Sequence, residues 1–137
     1  KAAAIIKERT AFGAYGHNKY CTIIQEDLDG QLTGAVITSA KADGLKWISF
    51  GTNLDSNKCK RIARDNRAAV CFASEDYSVT LKGRLEILTD AQTKHEHWYK
   101  GMEAHFSGPD DENYCVIRLN TEKYSLFIDY AETAGAL

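Results

Sequence analysis

Proline stands at a single position in this sequence, Pro109, and no linker, repeat or low-complexity segment interrupts it. A chain of 137 residues without such breaks reads as one domain spanning residues 1–137. A long apolar run is also lacking: none approaches the roughly 20 residues that a membrane-spanning helix requires. An excess of either charge is lacking as well. The formal net charge is −2, which excludes the strongly basic character of proteins that bind nucleic acid or anionic membranes. The opening Lys-Ala-Ala-Ala-Ile-Ile is too short, and too soon followed by Lys7, Glu8 and Arg9, to serve as a secretory signal. It carries no initiator Met, as expected of a sequence that starts after a trimmed end.

Four cysteines are present, at 21, 59, 71 and 115, but none belongs to a Cys-x-x-Cys pair and none has a His at zinc-finger spacing. Cys71 and Cys115 fall in apolar runs, where a reduced thiol behaves as a small buried hydrophobe. Reduced thiols in turn imply a cytoplasmic address. His95 and His97 would project to nearly opposite sides of a helix, so no metal is expected there.

What is present is a globular composition, 44% hydrophobic and 26% charged. Lys1 to about Phe12 reads as a helix. Strands follow at Tyr20 to Glu26, Leu32 to Ser39 and Lys46 to Phe50, with turns at Asp29-Gly30 and Asp43-Gly44. Ser56 can cap a helix to about Asp65, and Ala68 to Ser74 is then a buried strand. Tyr77 to Leu88 alternates over a long stretch, with Gly83 marking a bend or bulge. Thr89 or Asp90 caps a helix carrying Trp98, Tyr99 and Met102, and two strands close the chain at Tyr114 to Leu119 and Tyr124 to Tyr130. About seven short strands with tight turns predict a mainly β fold, an antiparallel barrel of six to seven strands with a few helices.

The segment richest in chemistry runs from Ile48 to Lys58: Ile-Ser-Phe-Gly-Thr-Asn-Leu-Asp-Ser-Asn-Lys. A strand ends in a small polar loop that opens directly onto a helix. Such a helix start presents unpaired amides and about half a positive charge, which suits a phosphate. Thr52 and Ser56 add hydroxyls and Lys58 a full charge, whereas Asp55 opposes an anion unless it turns outward. The plainer alternative stays open: Ser56 is only a cap, and Lys58, Lys60, Arg61 and Arg64 form a solvated face.

Phe-Gly-Thr-Asn-x-x-Ser-x-Lys from Phe50, a basic helix, then Asp-Asn-Arg-Ala-Ala-Val-Cys-Phe from Asp65 resembles the pyridoxamine 5′-phosphate oxidase-related, FMN-binding split-barrel family. Val79 to Glu86, with its Gly-x-Leu-Glu ending, is similar to another strand of that family. Trp98, Met-Glu-Ala-His-Phe from Met102, and Gly-Pro-Asp-Asp from Gly108 resemble its general-stress-protein branch. The likeness extends from the first helix to about Asp129. It implies a split β-barrel holding FMN across a homodimer interface. Val36, Ile37 and Thr38 would lie beside the flavin ring, with Phe50, Gly51 and Thr52 along the ring and ribityl chain. Asn57 and Lys58 would meet the phosphate, and Trp98 would either approach the partner's cofactor or anchor a core.

Three departures bear on function. Gly34 or a neighbour stands where the family often has a phosphate-binding Arg, Ser78 near a frequent Gln, and the substrate-gripping C-terminal segment of true pyridoxamine phosphate oxidases is replaced by Ala-Glu-Thr-Ala-Gly-Ala-Leu. Vitamin B6 oxidation is therefore disfavoured. No general acid or base stands out, and Tyr99 and His105 read as structural. The resemblance leaves a flavin-dependent oxidoreductase of unknown substrate, a non-catalytic binder of flavin, deazaflavin or haem, or a barrel without cofactor. No nucleic-acid or membrane partner is expected.

Overall fold

The computed structural model describes residues 1–10 and 19–137. Eight strands form one sheet in which every pairing is antiparallel. They are β1 (Tyr20–Glu26), β2 (Leu32–Thr38), β3 (Ala42–Asp43), β4 (Trp47–Asn53), β5 (Arg67–Ala73), β6 (Tyr77–Leu88), β7 (Tyr114–Ile128) and β8 (Ala131–Ala136). Three helices accompany them: α1 (Ala2–Arg9), α2 (Asn57–Arg64) and α3 (Ala91–Glu96).

The strand order is β2-β1-β5-β6-β7-β4-β3, with β8 added to β7. Its two ends, β2 and β3, are consecutive in sequence and joined only by residues 39–41. The sheet must therefore curl until its edges approach. No ladder bridges β2 to β3 or β4, so the barrel stays open, as a split barrel does. Among the described residues no helix is long and apolar enough to cross a membrane.

The barrel interior follows from strand alternation. Cys21, Ile23 and Gln25 point inward from β1, Val70 and Phe72 from β5, and Val79, Leu81 and Leu85 from β6. Ile48 and Phe50 of β4 meet Cys115, Ile117 and Leu119 of β7 in the same core. Ile6 of α1 and Cys59 and Ile62 of α2 also pack into this cluster. Ser56 caps α2 by accepting from the Cys59 amide at 3.3 Å, and Gln25 donates to the Lys58 carbonyl at 3.1 Å, tying the first turn to β1.

Several boundaries differ from the sequence expectation. The two closing strands are one, because β6 pairs β7 along its whole length; a bulge between Lys82 and Gly83 absorbs the polar stretch around Asn120 to Lys123. The chain then reverses at Asp129 and Tyr130, both at positive φ (55° and 63°), into the unexpected β8. The short β3 is a further strand beyond those expected. β4 runs on through Gly51-Thr52-Asn53, since these pair with Val116, Cys115 and Tyr114, so the polar loop begins after Asn53. α3 stops at Glu96. Trp98 and Tyr99 lie beyond it and Met102 opens a single 3₁₀ turn, because Gly101 sits at φ 113°. α1 ends at Arg9, short of the Phe12 expected, because Thr10 is already extended (φ −95°, ψ 160°); Ala11 and Phe12 lie outside the described residues.

Candidate functional site

β4 presents two faces with different duties. Ile48 and Phe50 are fully buried in the barrel core. Ser49 and Gly51 point the other way, and the segment after α3 lies over both. Met102 covers Gly51 so closely that a Cβ there would come within 2.1 Å of the Met102 methyl and 3.2 Å of the Tyr114 ring. Met102, Tyr114 and Val116 form a second buried cluster, ringed by Leu88, Trp98, Tyr99 and Phe106. Trp98 is half-buried and edge-on to Tyr114, with centroids 5.3 Å apart. The Tyr114 hydroxyl donates to the Lys94 carbonyl at 2.9 Å, fastening α3 to β7.

Ser49 Oγ lies 2.6 Å from His97 Nδ1, with both side chains buried, and donates to the Lys41 carbonyl at 3.2 Å. A hydroxyl has one proton. Both contacts are satisfied only if His97 carries its proton on Nδ1 and donates to Ser49, which assigns that tautomer. Burial pushes the His97 pKa down, and the nearby Lys41 charge adds to this, followed by Arg118, against Glu96 and Asp90. The unfolded chain, with an ordinary His near 6.5, then binds more protons than the native one below that pH. Stability is complete above about 6.5 and falls as pH drops through the depressed folded value, by at most about 1.4 kcal/mol per pH unit for one proton. Urea unfolding between pH 7 and 5 should show this slope in the wild type. His97→Asn should flatten it at some cost in stability at pH 7, and an unchanged slope would remove His97 as its source.

The nine residues expected at a cofactor are distributed as follows. Val36 is exposed, while Ile37 packs against the main core and Thr38 is half-buried with its hydroxyl hydrogen-bonded to Tyr99. Phe50 gives its ring to the core. Gly51 offers backbone only, because Met102 fills the space over it. Tyr99 on Thr38 and Met102 on Gly51 belong to one short connection, which brings the end of β2 and the middle of β4 to the same place.

Thr52 is half-buried and its hydroxyl donates to Ser56 Oγ at 3.3 Å. Asn57 is exposed and Lys58 half-buried in the first turn of α2, while Asp55 is exposed. With Ser56 capping Cys59, the amides of Asn57 and Lys58 have no partner within the helix. Arg61 is paired with Asp27 at 3.0 Å and Arg64 with the Leu28 carbonyl, while the first turn carries Lys58, half-buried, and Lys60, exposed. Among the described residues no three of His, Cys, Asp and Glu converge as metal ligands. A cleft of about 470 Å³ lies elsewhere, between α1 and the β3–β4 turn, lined by Lys7, Thr10, Lys41 and Asp43.

Three contacts escape the sequence: Ser49 with His97, Met102 on Gly51, and Cys59 against Cys115. Only the first leaves a trace, a Ser between Ile48 and Phe50, which alternation assigns to the opposite face.

An open antiparallel barrel, with a polar loop and helix start at one end of β4, places the chain among split-barrel proteins. Its sequence matches the family described as pyridoxamine 5′-phosphate oxidase like over residues 16–127, and the chain belongs to that family. A Clostridium acetobutylicum protein related to general stress protein 26 of B. subtilis superposes with a TM-score of 0.78 at 22% identity, covering 87% of this chain and 86% of that one. A pyridoxamine 5′-phosphate oxidase-related, FMN-binding protein of Nostoc punctiforme gives 0.60 at 14%, covering 87% of each. A heme-binding protein of Mycobacterium smegmatis gives 0.72 at 16%, covering 97% of this chain but 57% of that one. At such identities the likeness establishes the fold alone. No curated protein matches the sequence significantly.

Proposed function

We propose that residues 1–137 form one FMN-binding unit, working as a cytoplasmic homodimer and serving a flavin-dependent oxidoreductase whose substrate is not a B6 vitamer. The observation that carries this reading is the start of α2. There the Asn57 and Lys58 amides, which have no partner within the helix, follow directly on the Thr52–Ser56 hydroxyl pair, Lys58 adds a cation to the same turn, and Asp55 beside it is exposed. Charge and hydrogen-bond donors of the kind a phosphate monoester needs thus fall within one turn. The family match and the Nostoc relative's FMN point to the same ligand.

The phosphate end of this reading rests on the start of α2 and the ring end on β2. Val36 and Leu32, 70% and 79% exposed, flank Gly34 on the outer face of β2 and offer a flat apolar surface to an isoalloxazine. Phe50 and Gly51 contribute backbone and packing rather than side chains. An open apolar strand in one chain also suits a pocket completed by a second copy. Trp98 then serves chiefly as an anchor of the Met102–Tyr114 cluster. FMN would supply reversible hydride or electron transfer. The protein's part is to hold the phosphate, orient the ring and exclude water from one side.

Lys58→Ala removes one charge-assisted contact, expected to cost about 1.5–3 kcal/mol, or roughly ten- to a hundred-fold in FMN affinity. Riboflavin, which lacks the phosphate, should bind weakly to the wild type and ignore the substitution. Fluorescence quenching measures all four combinations. Equal losses for both flavins would move the phosphate elsewhere, and no flavin binding by the wild type would end the FMN reading. Light scattering of the same samples tests the dimer.

A further inference from the structure

α2 brings Cys59 against Cys115 of β7, the two sulfurs 3.7 Å apart although the residues are 56 positions apart in sequence. Both are buried, Cys59 at 4% exposure and Cys115 at 0%. Cys115 pairs across the sheet with Thr52, and Cys59 is the residue whose amide Ser56 caps. The thiols thus lie directly beneath the loop from Asn53 to Ser56. Cys59 Sγ also donates to the Asn53 carbonyl at 3.6 Å.

We propose that Cys59 and Cys115 are a redox pair that hydrogen peroxide converts to a reversible disulfide, fastening the first turn of α2 to β7. The inference does not rest on the flavin reading. A disulfide needs a sulfur separation of about 2.05 Å, so the sulfurs must approach by about 1.7 Å. Side-chain rotation with a small shift of the eight-residue α2 can supply that.

The two thiols are unequal. The hydrogen bond from Cys115 lowers the Cys59 pKa most; burial opposes it, and Ser56 and Lys58 lower it further against Asp55, leaving it at about 7. Cys115 is pushed the other way by the same hydrogen bond and by burial. Cys59 is accordingly the attacking thiolate and Cys115 the resolving thiol. The Cys59 thiolate attacks one peroxide oxygen, the O–O bond breaks, and hydroxide leaves and takes a proton to become water. The sulfur is now a sulfenic acid. Cys115 sulfur attacks Cys59 sulfur, the S–O bond breaks, and the departing hydroxide takes the Cys115 proton. In sum two thiols and one peroxide give one disulfide and two waters, and an added thiol reverses it by exchange.

The other two cysteines form no such pair. Cys71 stands opposite Thr22, the neighbour of Cys21, so alternation directs the two side chains to opposite faces of the sheet. Burial holds the Cys21 thiol up at about 12, which keeps it protonated and inert.

The test is to treat the reduced protein with stoichiometric hydrogen peroxide, alkylate it under denaturing conditions and map it without reductant. The expected result is a loss of about 2 Da, a peptide cross-linked between Cys59 and Cys115, alkylation confined to Cys21 and Cys71, and full reversal by dithiothreitol. Amide exchange over residues 57–62 should slow roughly tenfold in the oxidised form, as the tether suppresses opening of the helix start. Cys115→Ser, or Cys115→Thr should the serine variant fold poorly, keeps a hydroxyl donor beside Cys59 and should leave a Cys59 sulfenic acid that dimedone traps. A cross-link through Cys21 or Cys71 would overturn the proposal. So would accumulation of sulfinic acid at Cys59 in the wild type, four alkylated thiols after peroxide, or unchanged exchange at α2 once the cross-link has formed.

Discussion

Gly83→Ala is expected to lower stability by about 3 kcal/mol, the upper end of overpacking penalties, and the melting temperature by about 10 °C in a chain of this size. Gly83 sits at the bulge where β6 slips against β7, opposite Thr121. A Cβ there would lie 1.9 Å from the Asn120 carbonyl oxygen and 2.9 Å from its carbon. These are backbone atoms of the longest strand, so no rotamer change relieves the clash. The ladder itself must separate, and Leu81 and Leu85 on either side lose their packing. Gly108→Ala is the control, since nothing lies within 4 Å of a Cβ there, and it should stay within about 0.5 kcal/mol of wild type. Urea unfolding of both variants at constant m-value gives the comparison. Equal stability of the two would mean that β6 and β7 do not approach at Gly83.

The bulge is a feature that the sequence makes legible. Tyr77 to Leu88 alternates so regularly that both ends of β6 and the irregularity at Gly83 read directly from the residues. β1 and β2 are equally plain, because Asp29-Gly30 sets the turn between two alternating runs. Ser56 and Asp90 are readable as caps, and both accept from a third-position amide. What the residues do not reveal depends on partners. Asn120 to Lys123 is polar enough to look like a turn, and only continuous pairing with β6 keeps it a strand. β8 is Ala-Glu-Thr-Ala-Gly-Ala, without alternation, and is a strand because β7 offers it an edge. The candidate site divides in the same way. Its helix start is local and visible, whereas the covering of Ser49 by His97 and of Gly51 by Met102 joins residues about fifty positions apart. Phe50 is a case in point: its place in β4 is legible, but the face its ring takes follows from packing against distant residues.

Phe50→Ala is expected to cost about 3–5 kcal/mol of stability, the usual range for deleting a fully buried ring. The ring packs with Ile48, Ile117 and Leu119 inside the barrel, so the loss belongs to the core and not to any ligand. The alanine variant alone cannot separate the two roles, because a chain weakened this far also binds poorly. Phe50→Leu can. It keeps most of the apolar volume, should cost about 1.5 kcal/mol or less, and leaves a folded protein for titration. If the ring stood against a bound flavin, losing the aromatic contact would cost about 0.5–1.5 kcal/mol of binding, or roughly three- to ten-fold in FMN affinity. With the ring buried instead, FMN affinity should stay within about twofold while the urea midpoint falls. A tenfold loss of FMN affinity in a Phe50→Leu protein of wild-type stability would reverse the assignment. It would turn Phe50 outward, and Ser49 and Gly51 would have to face the core in its place. Their contacts with His97 and Met102 argue against this, because both would be lost together.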